Sequence, residues 1–349
     1  MEGRRVQKVG YSTLSVSLPS RWAKETGLKQ GDTIIFVPDT DGSLRIMTSA
    51  LAERRATQGE FIINSDLCDE PRMLARIIVG NYILGRDTIS VVSSGRIRSE
   101  HLREIREAAK RLIGLGIIEE TPNRIILQCS IDPAKFPIDT LIRRLYVIAS
   151  TMYTEAIQAL SENNPDLAQD AVRREDEADT ICWLTIRLLL SAQQNRNLAQ
   201  SIGISDILEI PDNRLIVQLL ESIADHAEKM ALSVIELEKS RDEIPHHIIE
   251  TIAQMGDLAT VVCQKAMDCN YKGDIKVASD AIEAAGVIET SEERLMSALP
   301  KGVSNPYLIA HIRTVVWCLR RIAELGASIA LIAIDKALEK PNKLCTPAS

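Results

Sequence analysis

The feature that most constrains this chain is the spacing of its apolar residues between Pro137 and about Lys340. Apolar side chains recur there every three or four residues, which is the period of one buried helix face. Pro, Gly and Asn interrupt the pattern at five places, within residues 161–166, 203–213, 241–247, 271–274 and 299–306. Five breaks predict six helices, which we expect to form two three-helix bundles.

The two halves of this region, residues 140–240 and 246–340, resemble a diverged internal repeat. The sequence AIQALSENNPDLAQDAV parallels KAMDCNYKGDIKVASDAI, and ESIADHAEKMALSVI parallels RRIAELGASIALIAI. The match is good at the ends of each repeat and loose in the middle. The pattern therefore predicts one bundle per repeat.

Residues 4–48 have a different pattern, typical of short strands around one small helix. Side chains alternate in 4–10 and 12–19, and two further strands are predicted at 33–38 and 44–49. Ser20 can cap a helix over 20–27 that ends at Gly27, and Asp41-Gly42 is a hairpin signal. So few residues bury little surface, and a dimer would supply the missing core.

The run KVGYSTLSVSLPSRWAKETGLKQGD, followed by strand, turn and strand, resembles the swapped-hairpin module of AbrB- and SpoVT-like regulators. The resemblance implies a domain over residues 1–50 in which two chains interleave their hairpins and present basic side chains to DNA. Arginine and lysine suit phosphate and guanine. The alternative is a module that only dimerises and carries solvated charges. The candidate DNA contacts are Arg4, Arg5, Lys8, Arg21 and Lys24.

Residues 51–136 are predicted to form a compact α/β segment. Strands are expected at 59–64, 87–93, 116–121 and 124–130, and helices at 70–85 and 98–114, the second ending near Gly114 or Gly116. Basic residues recur here and favour a solvated surface, with extra contact to the DNA backbone as the alternative. They are Arg96, Arg98, Arg103, Arg106, Lys110 and Arg111.

The charge is unevenly distributed. Residues 1–136 hold 20 Lys and Arg against 17 Asp and Glu, whereas residues 137–349 hold 21 against 31. Positive charge concentrated in one module can bind nucleic acid even in an acidic chain. The asymmetry indicates two parts with different partners.

Acidic residues in the predicted helices recur as pairs four positions apart: Glu175 with Asp179, Glu221 with Asp225, and Glu289 with Glu293. This spacing places both carboxylates on one helix face, where they repel unless a cation lies between them. The pairs lie off the apolar midline, so we expect them on the outer face of the bundle. Oxygen ligands favour hard metal ions. An ordinary solvated helix face is the alternative.

One histidine adjoins the second of these pairs, and two more stand next to each other later in the chain. His226 either assists a metal or points to solvent, and His246-His247 is expected to lie in a loop without a role.

The stretch from Glu221 to Ala231, ESIADHAEKMA, resembles the E(D)xxxD motif of PhoU phosphate-uptake regulators, and Glu175–Asp179 matches the partner helix. The resemblance implies tandem three-helix bundles over 137–240 and 241–340, followed by a tail at 341–349, and a metal ion (Mg, Mn, Fe or Zn) on the bundle surface. Its pairing with an AbrB-like start is typical of archaeal PhoU-like regulators.

The second repeat departs from this motif. Arg320 stands where an acidic residue is expected, with Glu324 four positions later. A guanidinium there would repel a cation and could pair with Glu289 or Glu293. We therefore expect metal in the first bundle and a degenerate or empty site in the second.

The predicted fold is multidomain α+β: a swapped-hairpin β module, a small α/β segment and all-α tandem bundles. The N-terminus has no apolar signal core and no apolar run approaches the length of a membrane span, so we expect a cytoplasmic protein without membrane insertion. The seven cysteines are scattered without a CxxC pair, which argues against disulfides or a thiolate zinc site.

Three functions are compatible with these patterns. The first is a homodimeric, DNA-binding regulator of phosphate uptake. The second is an adaptor for the ATPase subunit of a phosphate transporter, in which the N-terminal module serves only dimerisation. The third is an enzyme using surface metals for phosphoester chemistry, for which the sequence offers no general base or phosphate loop.

Overall fold

A computed structural model of the chain describes residues 3–38, 43–49, 60–339 and 341–346. The chain divides into two compact units, Met1–Glu60 and Phe61–Ser349. The first unit contains the predicted β module. The second contains both the α/β segment and the helical region.

The first unit consists of two antiparallel hairpins and one short helix. Strands β1 (Gln7–Val9) and β2 (Thr13–Ser15) form one pair, and β3 (Ile34–Pro38) and β4 (Leu44–Thr48) form the other. Helix α1 (Ser20–Glu25) lies between them in the chain. These elements confirm the predicted strands and helix, while the predicted Asp41-Gly42 turn falls outside the described residues.

The predicted start of α1 was wrong. Ser20 is the first helical residue, and Pro19 occupies the N-cap position without a side-chain cap. The fixed φ of proline suits this entry to the helix, so no capping hydroxyl is needed. Gly27, with φ of 69°, provides the left-handed turn that follows the helix, as predicted.

The first unit buries very little of its apolar surface. In residues 3–37 and 43–49, Met47 is the one apolar side chain that is buried. Large apolar side chains are instead exposed along both hairpins, namely Val6, Val9, Tyr11, Leu14, Val16, Ile35, Phe36 and Leu44. A module of this size that exposes so much apolar surface has little core of its own.

The second unit begins with the α/β segment, whose strands and helices are those predicted from the sequence. A four-stranded sheet has the order β5-β6-β8-β7, with β5 and β6 parallel and the other pairs antiparallel. Its elements, in chain order, are β5 (Phe61–Asn64), α2 (Met73–Ile83), β6 (Thr88–Val92), α3 (Ser99–Arg111), β7 (Leu115–Glu120) and β8 (Arg124–Cys129).

Gly114, with φ of 78°, makes the turn between α3 and β7. A side chain there would collide with Ile131, so glycine is required by both backbone and space.

The helical region follows and contains eight helices among the described residues, where six were predicted. They are α4 (Ile138–Glu162), α5 (Pro165–Arg173), α6 (Glu175–Gln194), α7 (Arg196–Ser201), α8 (Glu209–Glu238), α9 (His246–Lys272), α10 (Ile275–Gly302) and α11 (Pro306–Leu338). Two of these divisions were not visible in the apolar spacing.

Both extra divisions have local causes. Arg174 separates α5 from α6 but keeps near-helical angles, so the apolar face continues across it. Helix α7 is only six residues long and begins where Asn195 accepts a hydrogen bond from the Leu198 N–H. His246 and His247 form the first turn of α9, after Pro245, so the predicted loop there was wrong.

The two bundles share one hydrophobic core. Helix α8 of the first bundle packs along α11 of the second, and α4 packs against α9. Buried side chains from Ile138 to Ala333 form a single cluster across both bundles. No helix in the described parts of the chain is long and apolar enough to cross a membrane.

The α/β segment is attached to the first bundle through helix α6. Arg187, which is buried, donates to the carbonyl oxygens of Tyr82 (2.6 Å) and Arg86 (3.1 Å) and pairs with Asp87. Trp183 on the same helix packs against the core of the α/β segment. The segment and the bundle are therefore in direct contact within the second unit.

Candidate functional sites

The five basic residues predicted to contact DNA are all exposed in the first unit. Arg4, Arg5 and Lys8 lie before or within β1, and Arg21 and Lys24 lie three positions apart on α1. Arg21 Nε also lies 2.8 Å from Glu25 Oε1 in an exposed i,i+4 pair. Such exposed pairs contribute little stability.

Four predicted carboxylates face one another between α6 and α8. We call Glu175, Asp179, Glu221 and Asp225 the first carboxylate cluster. The carboxylates of the two helices are close enough to repel one another. Asp225 raises the pKa of Asp179, and Asp179 raises the pKa of Glu221. Helical spacing of four explains each pair, and the packing of α6 on α8 brings the pairs together.

The expected position of this cluster on an open outer face was only partly right. Asp225 is exposed, whereas the side chains of Glu175 and Asp179 are only 24% and 15% exposed. The α/β segment covers them, and apolar periodicity within the bundle alone could not show that cover.

Arg111, the last residue of α3, lies over the side chains of Glu175 and Asp179. Its Nη2 atom lies 2.9 Å from Asp179 Oδ2, 2.8 Å from Asp176 Oδ1 and 3.9 Å from Glu175 Oε2. The guanidinium also lies over the Trp183 ring, 4.9 Å from its centroid. The interpretation of Arg111 as part of a solvated basic surface was therefore wrong, because it is an intramolecular counterion.

This one counterion does not neutralise the first carboxylate cluster. Burial and the neighbouring Asp179 raise the pKa of Glu175 to about 7, and burial with Asp225 raises the pKa of Glu221 to about 7. Burial also raises the pKa of Asp179 and Asp225. The four carboxylates are thus held at a cost that an additional cation would relieve.

The second bundle has a corresponding group, which we call the second carboxylate cluster: Glu289, Glu292 and Glu324. Arg320 pairs with all three, through Nη2 to Glu289 (2.9 Å), Nη1 to Glu292 (3.1 Å) and Nε to Glu324 (2.7 Å). These bonds, with Glu324 and then Glu292 the strongest, raise the pKa of Arg320.

Of the two predicted alternatives, Glu289 or Glu293, Arg320 pairs with Glu289, and it also pairs with Glu292, which was not predicted. Glu293 is exposed, whereas the Glu292 side chain is only 16% exposed. On α10 the side chain three positions after Glu289, that of Glu292, points toward Arg320. The side chain four positions after it, that of Glu293, does not.

A metal ion in the first carboxylate cluster stays a prediction. Among the described residues, no group of three or more His, Cys, Asp or Glu side chains is arranged to hold a metal ion. Arg111 Nη2 is already within hydrogen-bond distance of Asp179, one of the predicted ligands. The donors are the hard oxygen atoms that such an ion prefers, but coordination would require the side chains to rearrange.

His226 lies beside the cluster and packs edge-on against Trp317, with ring centroids 5.1 Å apart. Burial, with nearby Arg321, lowers the pKa of this histidine, so it is neutral at physiological pH. All seven cysteines are free thiols, and six of them are buried, as expected for small core residues.

Sequence reasoning missed three residues that shape the first carboxylate cluster. Arg111 is distant in the chain, and no local signal identifies it as a partner. Asp176 also pairs with Arg111, and Glu228 interacts electrostatically with Glu175 and Asp176. Glu228 could have been found, because it follows Glu221 by two helical turns and shares its face.

A separate cavity of about 410 Å³ lies between residues 68–72 and the first two turns of α3. At its edge the Ala75 N–H, in the first turn of α2, donates to Glu104 Oε2 (2.9 Å). The positive end of α2 therefore already has an anion from within the chain.

Two separate parts of the chain are similar to known protein families. Residues 142–234, from α4 to α8, match the family model of the PhoU domain. Residues 7–51 match the model described as antidote-toxin recognition MazE, bacterial antitoxin. No curated protein matches the chain.

Among solved structures, the crystal structure of PhoU from Pseudomonas aeruginosa is similar with a TM-score of 0.48 and 20% identity, covering 58% of this chain and 96% of that one. The two family matches confirm the predicted resemblances, while an archaeal source stays a prediction. The chain thus joins an N-terminal segment similar to MazE antitoxins to a helical region that is similar to the PhoU domain over residues 142–234.

Proposed function

We propose that this protein is a DNA-binding transcriptional regulator of phosphate uptake, with the β module as its DNA-binding part and the helical region as its sensor. The observation that carries the proposal is the nearly coreless first unit, which displays apolar hairpins and basic side chains at once. Its match to the MazE model and the PhoU match of the first bundle support this division of roles.

Dimerisation is part of the proposal, because the exposed apolar side chains of the first unit need a partner. Two copies that interleave their hairpins would bury Leu14, Val16 and Phe36 and build the core that one copy lacks. Pairing would also double the basic surface formed by Arg4, Arg5, Lys8, Arg21 and Lys24. A cytoplasmic location follows from a role on DNA.

The helical region would sense cations or a protein. We propose that the first carboxylate cluster holds a hard metal ion such as Mg or Mn when Arg111 leaves it. Such an ion would remove the mutual repulsion of the four carboxylates. The residues that would hold it are Glu175, Asp179, Glu221 and Asp225.

The proposal predicts how charge reversal changes DNA affinity. A triple Arg4→Glu, Arg5→Glu and Lys8→Glu variant should lower affinity for DNA upstream of phosphate-transport genes at least about tenfold and reduce the salt slope by about 5, because the dimer loses three contacts in each copy. Fluorescence anisotropy over a range of salt concentrations measures both quantities. Reversal of Arg294, Lys301 and Arg313, which are exposed in the second bundle, is the matched control and should change neither.

The same experiment separates the regulator from its rival. If wild-type protein binds no DNA even at low salt but still associates with the ATPase subunit of a phosphate transporter, the adaptor function replaces the one proposed. In that case the N-terminal module would serve dimerisation alone.

A further inference from the structure

Arg111 is held to the first carboxylate cluster by a single nitrogen. Its ion pairs with Asp176, Asp179 and Glu175 all run from Nη2. Its Nε atom is buried and has no hydrogen-bond partner among the described residues. Guanidinium groups bind carboxylates best when the whole planar fork is matched, so Arg111 is a poorly matched ligand.

The α8 half of the cluster lies beyond its reach. Within the part of the chain that the structure describes, neither Glu221 nor Asp225 forms an ion pair; Glu221 accepts hydrogen bonds from Gln218 and Ser222. One positive charge therefore faces four carboxylates on two helices. A divalent cation would bring twice that charge and could interact with both helices.

Arg111 also connects two parts of the chain. It ends α3 in the α/β segment, and Thr180 of α6 donates a hydrogen bond to its carbonyl oxygen (3.0 Å). A second attachment, at Arg187, holds the α2 end of the same segment through Tyr82 and Asp87. Loss of Arg111 from the cluster would thus loosen one end of the segment while the other stays attached.

We infer that Arg111 and a divalent cation compete for the first carboxylate cluster, so that cation binding releases the α3 end of the α/β segment from the first bundle. This inference rests on the proposed cation site and adds its mechanical consequence. The α/β segment follows the β module directly in the chain, so its release is a route by which the sensor can alter the DNA-binding part.

Electrostatics gives the direction of the competition. A cation between α6 and α8 would lie close to the guanidinium, and two like charges a few ångströms apart repel strongly in a half-buried site. Asp179 is both a contact of Arg111 and a predicted metal ligand, so the guanidinium and the cation would be drawn to the same carboxylate.

The first test compares the affinity for Mn²⁺ alone of wild-type protein and an Arg111→Gln variant by isothermal titration. The variant should bind at least about tenfold more tightly, since its competitor is gone. Lys110→Gln removes the same charge from the neighbouring, exposed position of α3 and should bind as the wild type does. Equal affinity of the Arg111 and Lys110 variants would overturn the competition.

The second test uses the wild-type chain, so it does not depend on how a variant folds. Hydrogen exchange should rise on Mn²⁺ addition at the backbone amides of residues 108–115 and stay unchanged at residues 82–87, near Arg187. Unchanged exchange at 108–115 with Mn²⁺ bound would contradict the release.

A Glu221→Ala/Asp225→Ala variant distinguishes failure of the inference from failure of the site. Equilibrium dialysis should show that it loses Mn²⁺. If metal content is the same in wild type and in this double variant, the proposed cation site is wrong and the competition with it. If the double variant loses metal but Arg111→Gln gains no affinity, the site stands and the competition alone is wrong.

Discussion

The two carboxylate clusters occupy corresponding places in the repeated bundles, yet their counterions come from different parts of the chain. In the second bundle Arg320 lies on α11 itself and uses three nitrogens for three carboxylates. In the first bundle Arg111 arrives from the α/β segment and uses one. The second cluster is satisfied by its own bundle, and the first depends on a neighbour.

This difference indicates which cluster can respond to a signal. A guanidinium on the same bundle as its carboxylates stays close to them for as long as that bundle is folded. A guanidinium from another segment can leave while the bundle stays folded. On the competition inferred above, the diverged repeat provides one structural cluster and one exchangeable cluster.

The largest expected effect is the loss of Arg320. An Arg320→Met variant leaves Glu289, Glu292 and Glu324 without their counterion and should lower the free energy of unfolding of the helical region by about 2 kcal/mol. Urea unfolding followed by far-ultraviolet circular dichroism measures this. Arg313→Met, an exposed change on the same helix, should cost far less. Equal losses for the two variants would end the comparison between the clusters.

A smaller effect is expected from pH at the first cluster. Because the folded-state pKa of Glu221 is about 7, above its ordinary 4.5, the unfolded chain loses this proton first, and stability falls as pH rises from about 4.5 through 7. Glu221→Gln should therefore stabilise the protein at pH 8, by roughly 1 kcal/mol after solvent screening, and have no effect below pH 4.5.

Thermal or urea unfolding of wild type and Glu221→Gln across pH 4 to 8 tests that sign. Glu289→Gln in the second cluster is the control, because its charge is compensated by Arg320. Stabilisation by Glu221→Gln that is the same at pH 4 and pH 8 would show that charge is not the cause.

The smallest effect distinguishes two neighbouring residues of α10. Glu292→Gln removes a charged partner of Arg320 and should cost about 0.5–1 kcal/mol, whereas Glu293→Gln should change stability by less than about 0.3 kcal/mol. Urea midpoints of the two variants measure the difference. A larger loss for Glu293→Gln would support the spacing of four that the sequence had suggested.

Apolar periodicity was sufficient to predict most elements of the fold. Long helices such as α8 and α9 carry a repeating buried face, so their number and order follow from sequence. The division at Arg174 was not predictable, because near-helical angles leave the apolar face unbroken. The prediction of Ser20 as the N-cap of α1 was wrong for another reason. Serine and proline are both common at the start of a helix, so residue type alone does not show which of Pro19 and Ser20 occupies the N-cap position.

The candidate site was predictable on each helix but not between segments. Spacing of four placed Glu221 with Asp225, and a repeat comparison placed Arg320 opposite acidic residues. Arg111 carries no such signal, because its pairing depends on how α3 is packed against α6. Interactions between distant segments of a chain require the tertiary structure.

The shared core of the two bundles has a consequence for the evolution and dissection of this protein. Duplicated units commonly remain separable, but here a fragment ending near residue 240 would expose the surface of α8 that packs on α11. We expect such half-proteins to aggregate when expressed alone, and calorimetry of the whole chain to show one melting transition for both repeats. Because the two repeats share one interior, the loss of either copy would have left an apolar face of the other exposed to solvent.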